Sequence, residues 1–481
     1  MAVYYPQCRA TLSVIFDGFG GPDTEPNRIQ VLPITASCRL NGYKEADTWQ
    51  LEFDAREFPF SPELIRNAAV EIYMFDTLGL NDNTERYATD DNLIVAGLAD
   101  NAHIQYTGDG HTFQMDGRDY TALFLDKPWN PTDKVPVGIP LDQCIAKLAY
   151  EAQVRTVIDP DTQKERTYKP HRPIQVEYIG SEAVPIVGQK IAHDRKLTQK
   201  KVTEKPVPVS GRGHSAASKN GIPFKSGQNF WDIIYKIAIR HGKIVFIRGT
   251  TLVISDPKTL SDRATEMVPK MAFGRNLEEL SVERHLGRET VPQIVVTGYD
   301  ENTRQAIEAR YPKKYKGIQT GAGSYKQEER RYILMGITDA GLLFEYAKTL
   351  YHNLSRSESR MRFTTSDLRD LPEEDQQGGF GPNSLLSLRP GDAVAVGFDP
   401  FNDEQMRSLK TPELRYQRLI ELGYKRDVAA IVAEGYDKIN QFKQPWYVRQ
   451  VVLEWQDEND GGITIQVEGV NFVMQARNDA A

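Results

Sequence analysis

The run Met115-Asp116-Gly117-Arg118-Asp119-Tyr120-Thr121-Ala122-Leu123-Phe124-Leu125-Asp126 decides how the chain is divided. Everything before it reads as short strands, and downstream of it the hydrophobic period changes. Taken alone, Gly117-Arg118-Asp119-Tyr120 reads as a tight turn inside a β-rich stretch, 113–126. In that reading Arg118 and Asp119 pair locally and Tyr120 starts the next strand. The motif is then structural and carries no catalytic role.

Upstream, residues 10–16, 34–40, 48–53, 70–75 and 93–104 are β-rich runs separated by Gly, Asn, Asp and Pro clusters. Trp49-Gln50-Leu51-Glu52-Phe53 alternates apolar and polar residues, so one face is buried and the other wet. Thr107-Gly108-Asp109-Gly110 turns the chain. Several short strands without intervening helices favour a barrel or sandwich.

Downstream of Lys127-Pro128-Trp129-Asn130-Pro131, Leu141, Cys144, Ile145, Leu148 and Ala149 recur at helical spacing. A clearer helix follows Ser226, read as its N-cap, with Phe230, Ile233, Ile234, Ile237 and Ala238 on one stripe and Gly242 closing it. A hairpin, 244–254, turns at Gly249-Thr250-Thr251. Residues 196–219 are polar, with Pro206 and Pro208, and read as a long exposed loop that contacts another component. From Phe273 strands return at 280–284, 294–298, 331–335, 360–365 and 393–396, with a helix from Thr338 and an acidic, Gly-rich loop at 367–382. The tail is the clearest hairpin: 447–455, a turn at 457–462, then 463–473. The expected organisation is therefore β-rich α+β: a first β domain at 1–127, an α+β domain at 128–272 carrying loop 196–219, and a second β domain at 273–481 with helical insertions.

Composition bounds the function. The 481 residues suggest about three domains at roughly 150 residues each. The net charge of −7 argues against a protein that grips nucleic acid by neutralising phosphates. Three cysteines, Cys8, Cys38 and Cys144, make no disulfide framework and lack zinc spacing. No run reaches the ~18 apolar residues of a membrane span, and the N-terminus lacks the basic lead of a secretory signal. The expected setting is a reducing cytoplasm.

A search for chemistry yields little. His103 and His111 flank a Gly-Asp-Gly turn without a third converging ligand, so solvent-facing strand positions are the favoured reading. His241 suits a helix C-terminus. Asn81-Asp82-Asn83-Thr84-Glu85 with Asp90-Asp91 has calcium-type oxygens but not the EF-hand glycine and glutamate spacing. Gly18-Phe19-Gly20-Gly21 and Gly211-Arg212-Gly213 are not phosphate cradles, and no nucleophile elbow or zinc-protease motif occurs. Trp129 and Trp446 could stack on sugars or pack into junctions.

The 115–126 stretch resembles the "GRDYTALL-D" segment of the central baseplate hub of contractile-tailed phages, notably the Mu-like hubs. Other segments are similar at matching places: the helix and hairpin over 230–254, Phe273-Gly274-Arg275-Asn276-Leu277, Pro292-Gln293-Ile294-Val295-Val296-Thr297-Gly298-Tyr299, and Leu388-Arg389-Pro390-Gly391-Asp392 before a strand. The order and spacing cover most of the chain. The resemblance implies two β-barrel tube-type domains per chain and a homotrimer whose six domains form a pseudo-sixfold ring. Such a ring joins the hexameric tail tube, or a distal tube protein, to a trimeric tail spike. It also meets other baseplate proteins and lets DNA pass without specific binding during host entry. It implies a virion protein of the tail baseplate, assembled in the host cytoplasm, with no enzymatic activity, no cofactor and no metal. The alternative is a β-rich glycan-binding or cell-wall-degrading protein.

Overall fold

The computed structural model describes residues 5–16, 27–42, 45–56, 58, 64–77, 89–107, 110–129, 135–158, 165–168, 174–180, 183–187, 228–255, 270–272, 277, 279–284, 293–300, 305–313, 330–335, 340–355, 359–366, 385–397, 408–439, 446–457 and 462–471. The expected loop at 196–219 and the acidic loop at 367–382 lie outside these residues.

The first β region contains β1 (Tyr5–Phe16), β2 (Asn27–Val31), β3 (Thr35–Asn41), β4 (Thr48–Asp54), β5 (Ile65–Thr77), β6 (Leu93–Thr107) and β7 (Gly110–Asp119). A middle region comes next: α1 (Thr121–Leu125), α2 (Leu141–Gln153), β8 (Arg155–Ile158), β9 (Glu165–Tyr168), β10 (Gln175–Ile179), α3 (Phe230–Arg240), β11 (Ile244–Arg248) and β12 (Thr251–Ser255). The last region begins with β13 (Lys270–Ala272), β14 (Glu279–Arg284), β15 (Ile294–Asp300), β16 (Gln305–Tyr311), β17 (Arg330–Met335) and α4 (Ala340–Ser355). It ends with β18 (Ser359–Thr365), β19 (Ala393–Gly397), α5 (Pro412–Glu421), α6 (Arg426–Ile439), β20 (Trp446–Gln456) and β21 (Gly462–Asn471).

The two β regions meet edge to edge in one 13-stranded sheet, ordered β14-β18-β21-β20-β3-β4-β7-β6-β5-β1-β2, with β19 and β13 branching from β20. Split at the β20·β3 contact, this order repeats. The first half runs β3-β4-β7-β6-β5-β1, and the second runs β14-β18-β21-β20-β19-β13 in the same sequence order. The matched pairs are antiparallel except the last, which is antiparallel for β1·β5 and parallel for β13·β19. A bulge recurs at the same place. It falls between Ala99 and Asn101 opposite Gly117 and Asp116, and between Val448 and Gln450 opposite Gly469 and Glu468.

Alternation explains the core. On β3, β4, β7, β20 and β21 every second residue is buried: Ala36, Cys38 and Leu40; Trp49, Leu51 and Phe53; Phe113 and Met115; Val451, Leu453 and Trp455; Ile463, Ile465 and Val467. One apolar cluster runs through both halves, from Cys8 to Val467. At roughly 25 cal/mol per Å² of apolar surface, burying side chains of this size across the β3·β20 contact holds the halves together strongly.

The middle region packs α2 and α3 over the sheet β10-β12-β11, with Trp231, Ile234, Leu148 and Ile254 at its centre. The third region carries two insertions. Between β14 and β18, α4 covers the small sheet β16-β15-β17 through Leu343 and Ala347. Between β19 and β20, α5 and α6 form a helical hairpin around Leu419 and Val432.

Two local expectations need correction. The strand does not continue to Asp126: β7 ends at Asp119 and Thr121–Leu125 is helical. The α3 N-cap is Asn229, whose side-chain oxygen accepts from the Asp232 N–H at 2.8 Å, rather than Ser226, which lies outside the described residues. Gly242 closes α3 with φ +70°, as expected. Among the described residues no helix is long and apolar enough to cross a membrane.

Candidate functional site

The Gly117-Arg118-Asp119-Tyr120 segment is not a tight turn. Its first three residues complete β7, and Tyr120 is the N-cap of α1, with φ −63° and ψ −6°. At Gly117 the strands approach so closely that a Cβ would overlap the Leu98 carbonyl oxygen and lie 2.6 Å from Trp49 Cζ2. Only glycine fits. The Trp49 indole covers it and donates from Nε1 to the Arg118 carbonyl at 3.3 Å.

Arg118 and Asp119 do not pair with each other, as the turn reading expected, because strand alternation sends them to opposite faces. Arg118 makes a bidentate contact with Asp100, Nε–Oδ2 2.6 Å and Nη2–Oδ1 2.7 Å, and reaches Asp126 at 3.1–3.2 Å. Asp100 is the extra residue of the β6 bulge and Asp126 caps the C-terminus of α1. The guanidinium therefore clamps a bulge to a helix end. These hydrogen bonds, Asp100 first, hold it well above its ordinary pKa.

Asp119 points inward and is buried. Its Oδ1 accepts from the Thr121 N–H at 3.1 Å and its Oδ2 from the Thr121 hydroxyl at 2.8 Å, while its own N–H donates to the Asp47 carbonyl at 3.0 Å. That is why the strand stops here: the carboxylate binds the backbone two residues on and starts α1. Burial raises its pKa to about 7, against the lowering effect of the Thr121 hydrogen bonds. Nearby Asp47 is also raised, by burial and then by Asp119; its Oδ1 accepts from the Asn41 N–H at 2.6 Å.

Leu388-Arg389-Pro390-Gly391-Asp392 lies against the same place from the other half. Arg389 is buried; its Nη1 donates to the Leu386 and Leu388 carbonyls at 2.7 and 3.0 Å, and its Nη2 to Leu93 of β6 at 3.0 Å. Asp392 accepts from the Arg389 N–H at 2.7 Å and from Arg248 of the middle hairpin at 2.8 Å. Burial, and then Arg248, lower the Arg389 pKa to about 10. Tyr120 packs against both the Tyr73–Phe75–Leu93 cluster and the middle core, and Phe124 of α1 stacks on Trp231 at 5.8 Å. The two motifs thus converge on one joint where all three regions touch. Asp47, Asp100 and Arg389 complete it, and their roles depend on separations that sequence spacing does not reveal.

This joint is built for cohesion. Its two buried carboxylates, Asp47 and Asp119, are hydrogen-bonded within the joint and the more exposed ones are paired with Arg118 and Arg248, and among the described residues no group of three His, Cys, Asp or Glu could hold a metal. His103 and His111 are exposed strand residues set on non-adjacent pairs, His103 opposite Gln114 and His111 opposite Tyr106. The three thiols are buried and free, and burial raises each pKa, that of Cys144 to about 12, so none is a ready nucleophile. Trp129 packs edge-on against Phe230 and Trp446 is buried, so neither offers a sugar platform.

No family model matches the sequence, and no curated protein matches it. Solved structures do. The tail protein from Neisseria meningitidis MC58 is similar over 98% of this chain and 99% of its own, with 11% identity and a TM-score of 0.52. The fold is therefore a tail-protein fold, β-rich and dominated by one large antiparallel sheet. A 43 kDa tail protein of prophage MuSo2 from Shewanella oneidensis is similar at 12% identity and a TM-score of 0.45, over 95% of this chain and 97% of that one. Prophage tail protein gp18 from Listeria monocytogenes EGD-e is similar at 10% identity and 0.41, over 98% of each chain.

Proposed function

We propose that this chain is a structural baseplate hub of a contractile phage tail. Three copies form a ring in which each contributes two β modules, so that a threefold particle presents six similar positions. One face meets the hexameric tail tube or a distal tube protein, the other a trimeric spike, with further baseplate proteins around the rim. The observation that carries this reading is the repeated strand order of the two halves, joined edge to edge by β3·β20 in one chain. A single polypeptide with two like modules reconciles threefold with sixfold symmetry. The modules proposed are 1–127 and, because β13 completes the second repeat, 270–481, with the α+β region between, and Gly117, Arg118, Asp119 and Tyr120 serve as the structural joint out of the first.

The side of the sheet away from the core suits a bore. It carries threonine, serine and glutamine with interspersed charges of both signs, Glu52, Asp116, Glu454 and Glu468 beside Arg39, Arg118, Arg360, Arg362 and Arg449, and Glu468 takes Arg362 at 3.0 Å and Arg449 at 3.7 Å. Arginines tied to carboxylates, as Arg118, Arg362 and Arg449 are, present no basic field to hold phosphates, so DNA can slide past, in keeping with the −7 charge of each copy. Light scattering on the purified chain tests the reading: a mass of three times 54.4 kDa is expected, and a monomer at every concentration would refute it.

A further inference from the structure

The internal repeat predicts more than symmetry, because it specifies a register. Superposing the two halves by their strand pairs places Ala99 on Val448, Asn101 on Gln450 and Gly117 on Gly469, through the shared bulge. It places Trp49 on Met361, since both sit opposite the bulge glycine. Thr35 then falls on Glu279 and Cys38 on Val282. Within one chain the second half's β20 pairs with the first half's β3, from Gln450 opposite Asn41 to Gln456 opposite Thr35. The equivalent surfaces are the far half of β6 and the edge of β14. Among the described residues β5 covers β6 only from Leu93 to Leu98, and β14 ends the sheet with β18 as its strand neighbour.

We infer that β6 of one copy pairs antiparallel with β14 of the next in the register of β20 on β3, making every joint of the ring alike. The inference rests on the ring reading above and supplies its contact. Translating the register sets His103 opposite Glu283, Ile104 opposite Val282 and Tyr106 opposite Leu280 of the next copy. The chemistry matches at each. An imidazole meets a carboxylate, two β-branched side chains meet, and an aromatic ring covers a leucine. The exposures are those of an interface without its partner. Tyr106 is 65% exposed where its equivalent Trp455 is 3%, and Val282 is 40% exposed where its equivalent Cys38 is 0%. Strand alternation puts Ile104, Tyr106, Leu280 and Val282 on the core side, so a neighbour would extend the buried layer. A bare apolar edge is also a template for uncontrolled pairing, and a closed ring removes it.

The test is paired cysteine cross-linking in the full chain, joined by a short bis-maleimide, with the three native thiols buried and out of reach. Tyr106→Cys with Leu280→Cys should give covalent dimers and trimers roughly tenfold more efficiently than Tyr106→Cys with Ser281→Cys, because a one-residue slip turns the second thiol to the opposite face. Ile104→Cys with Val282→Cys against Ile104→Cys with Glu283→Cys repeats the comparison should the first pair assemble poorly. On the unmodified trimer, hydrogen exchange should show backbone amides in β6 beyond Ala99 and in β14 protected as β20 and β3 are. A trimer by light scattering with no preference between in-register and slipped pairs, or with both edges exchanging freely, would overturn this register while leaving the ring intact. A monomer at every concentration would overturn both.

Discussion

Replacing Gly117 by alanine should damage the protein far more than the same change at Gly469, although the two occupy equivalent positions. At Gly117 the added methyl would overlap the Leu98 carbonyl oxygen and press on Trp49, and a carbonyl in a paired strand cannot rotate away. Relief requires β6 and β7 to part over two or three ladder positions. At about 1 kcal/mol per lost hydrogen bond, plus about 1–3 kcal/mol for repacking Trp49, the cost is about 4 kcal/mol. At Gly469 the nearest atoms are Met361 Cε at 2.9 Å and Trp446 Cβ at 3.2 Å. A methionine end swings aside easily, so about 1 kcal/mol is expected there. Urea unfolding followed by tryptophan fluorescence measures both, since Trp49 lies directly over the first site. A Gly117→Ala protein within about 0.5 kcal/mol of the parent, or a costlier Gly469→Ala, would refute the packing argument.

Asp119 should make stability fall as pH rises from about 4 to 7. Its unfolded carboxyl ionises near 3.8 and the folded one near 7, so in that window the folded chain holds the extra proton and loses stability as protons are withdrawn. The ceiling is about 4 kcal/mol. Asp119→Asn keeps the shape and should lessen that slope in urea midpoints measured across the window, leaving the share that burial of Asp47 contributes; an unchanged slope would place the titration elsewhere. Arg389→Lys cannot serve the Leu93, Leu386 and Leu388 carbonyls together and should cost about 1–3 kcal/mol, and Arg389→Met about 3–5 kcal/mol, by the same denaturation assay. Equal stability of both variants to the parent would mean that the buried guanidinium does not bind the halves.

Much of the architecture can be read from alternation and period. The tail hairpin, the Trp49 strand and the α3 stripe come directly from which residues face the core. Helix α1 is hidden because Thr121-Ala122-Leu123-Phe124-Leu125 is a short apolar run that suits either state; the signal that ends the strand is the Asp119 carboxylate two residues before, whose role appears only once it is buried. The helical hairpin carries local marks, Thr411 as N-cap before Pro412 and Gly423 at φ +87°, that a strand-centred reading passes over. The joint is least legible. Arg389 reaches Leu93 across 296 residues, and the repeated strand order hides behind unlike side chains, Trp49 against Met361 or Leu51 against Phe363. Large insertions interrupt only the second half, so no period survives in the sequence.

Rotational analysis of face-on electron micrographs of the purified particle addresses the two-module ring most directly. The account predicts a threefold ring whose density also shows a strong sixfold component, with six similar lobes around an open centre. Three lobes without that component, or a single compact body with no central opening, would contradict it.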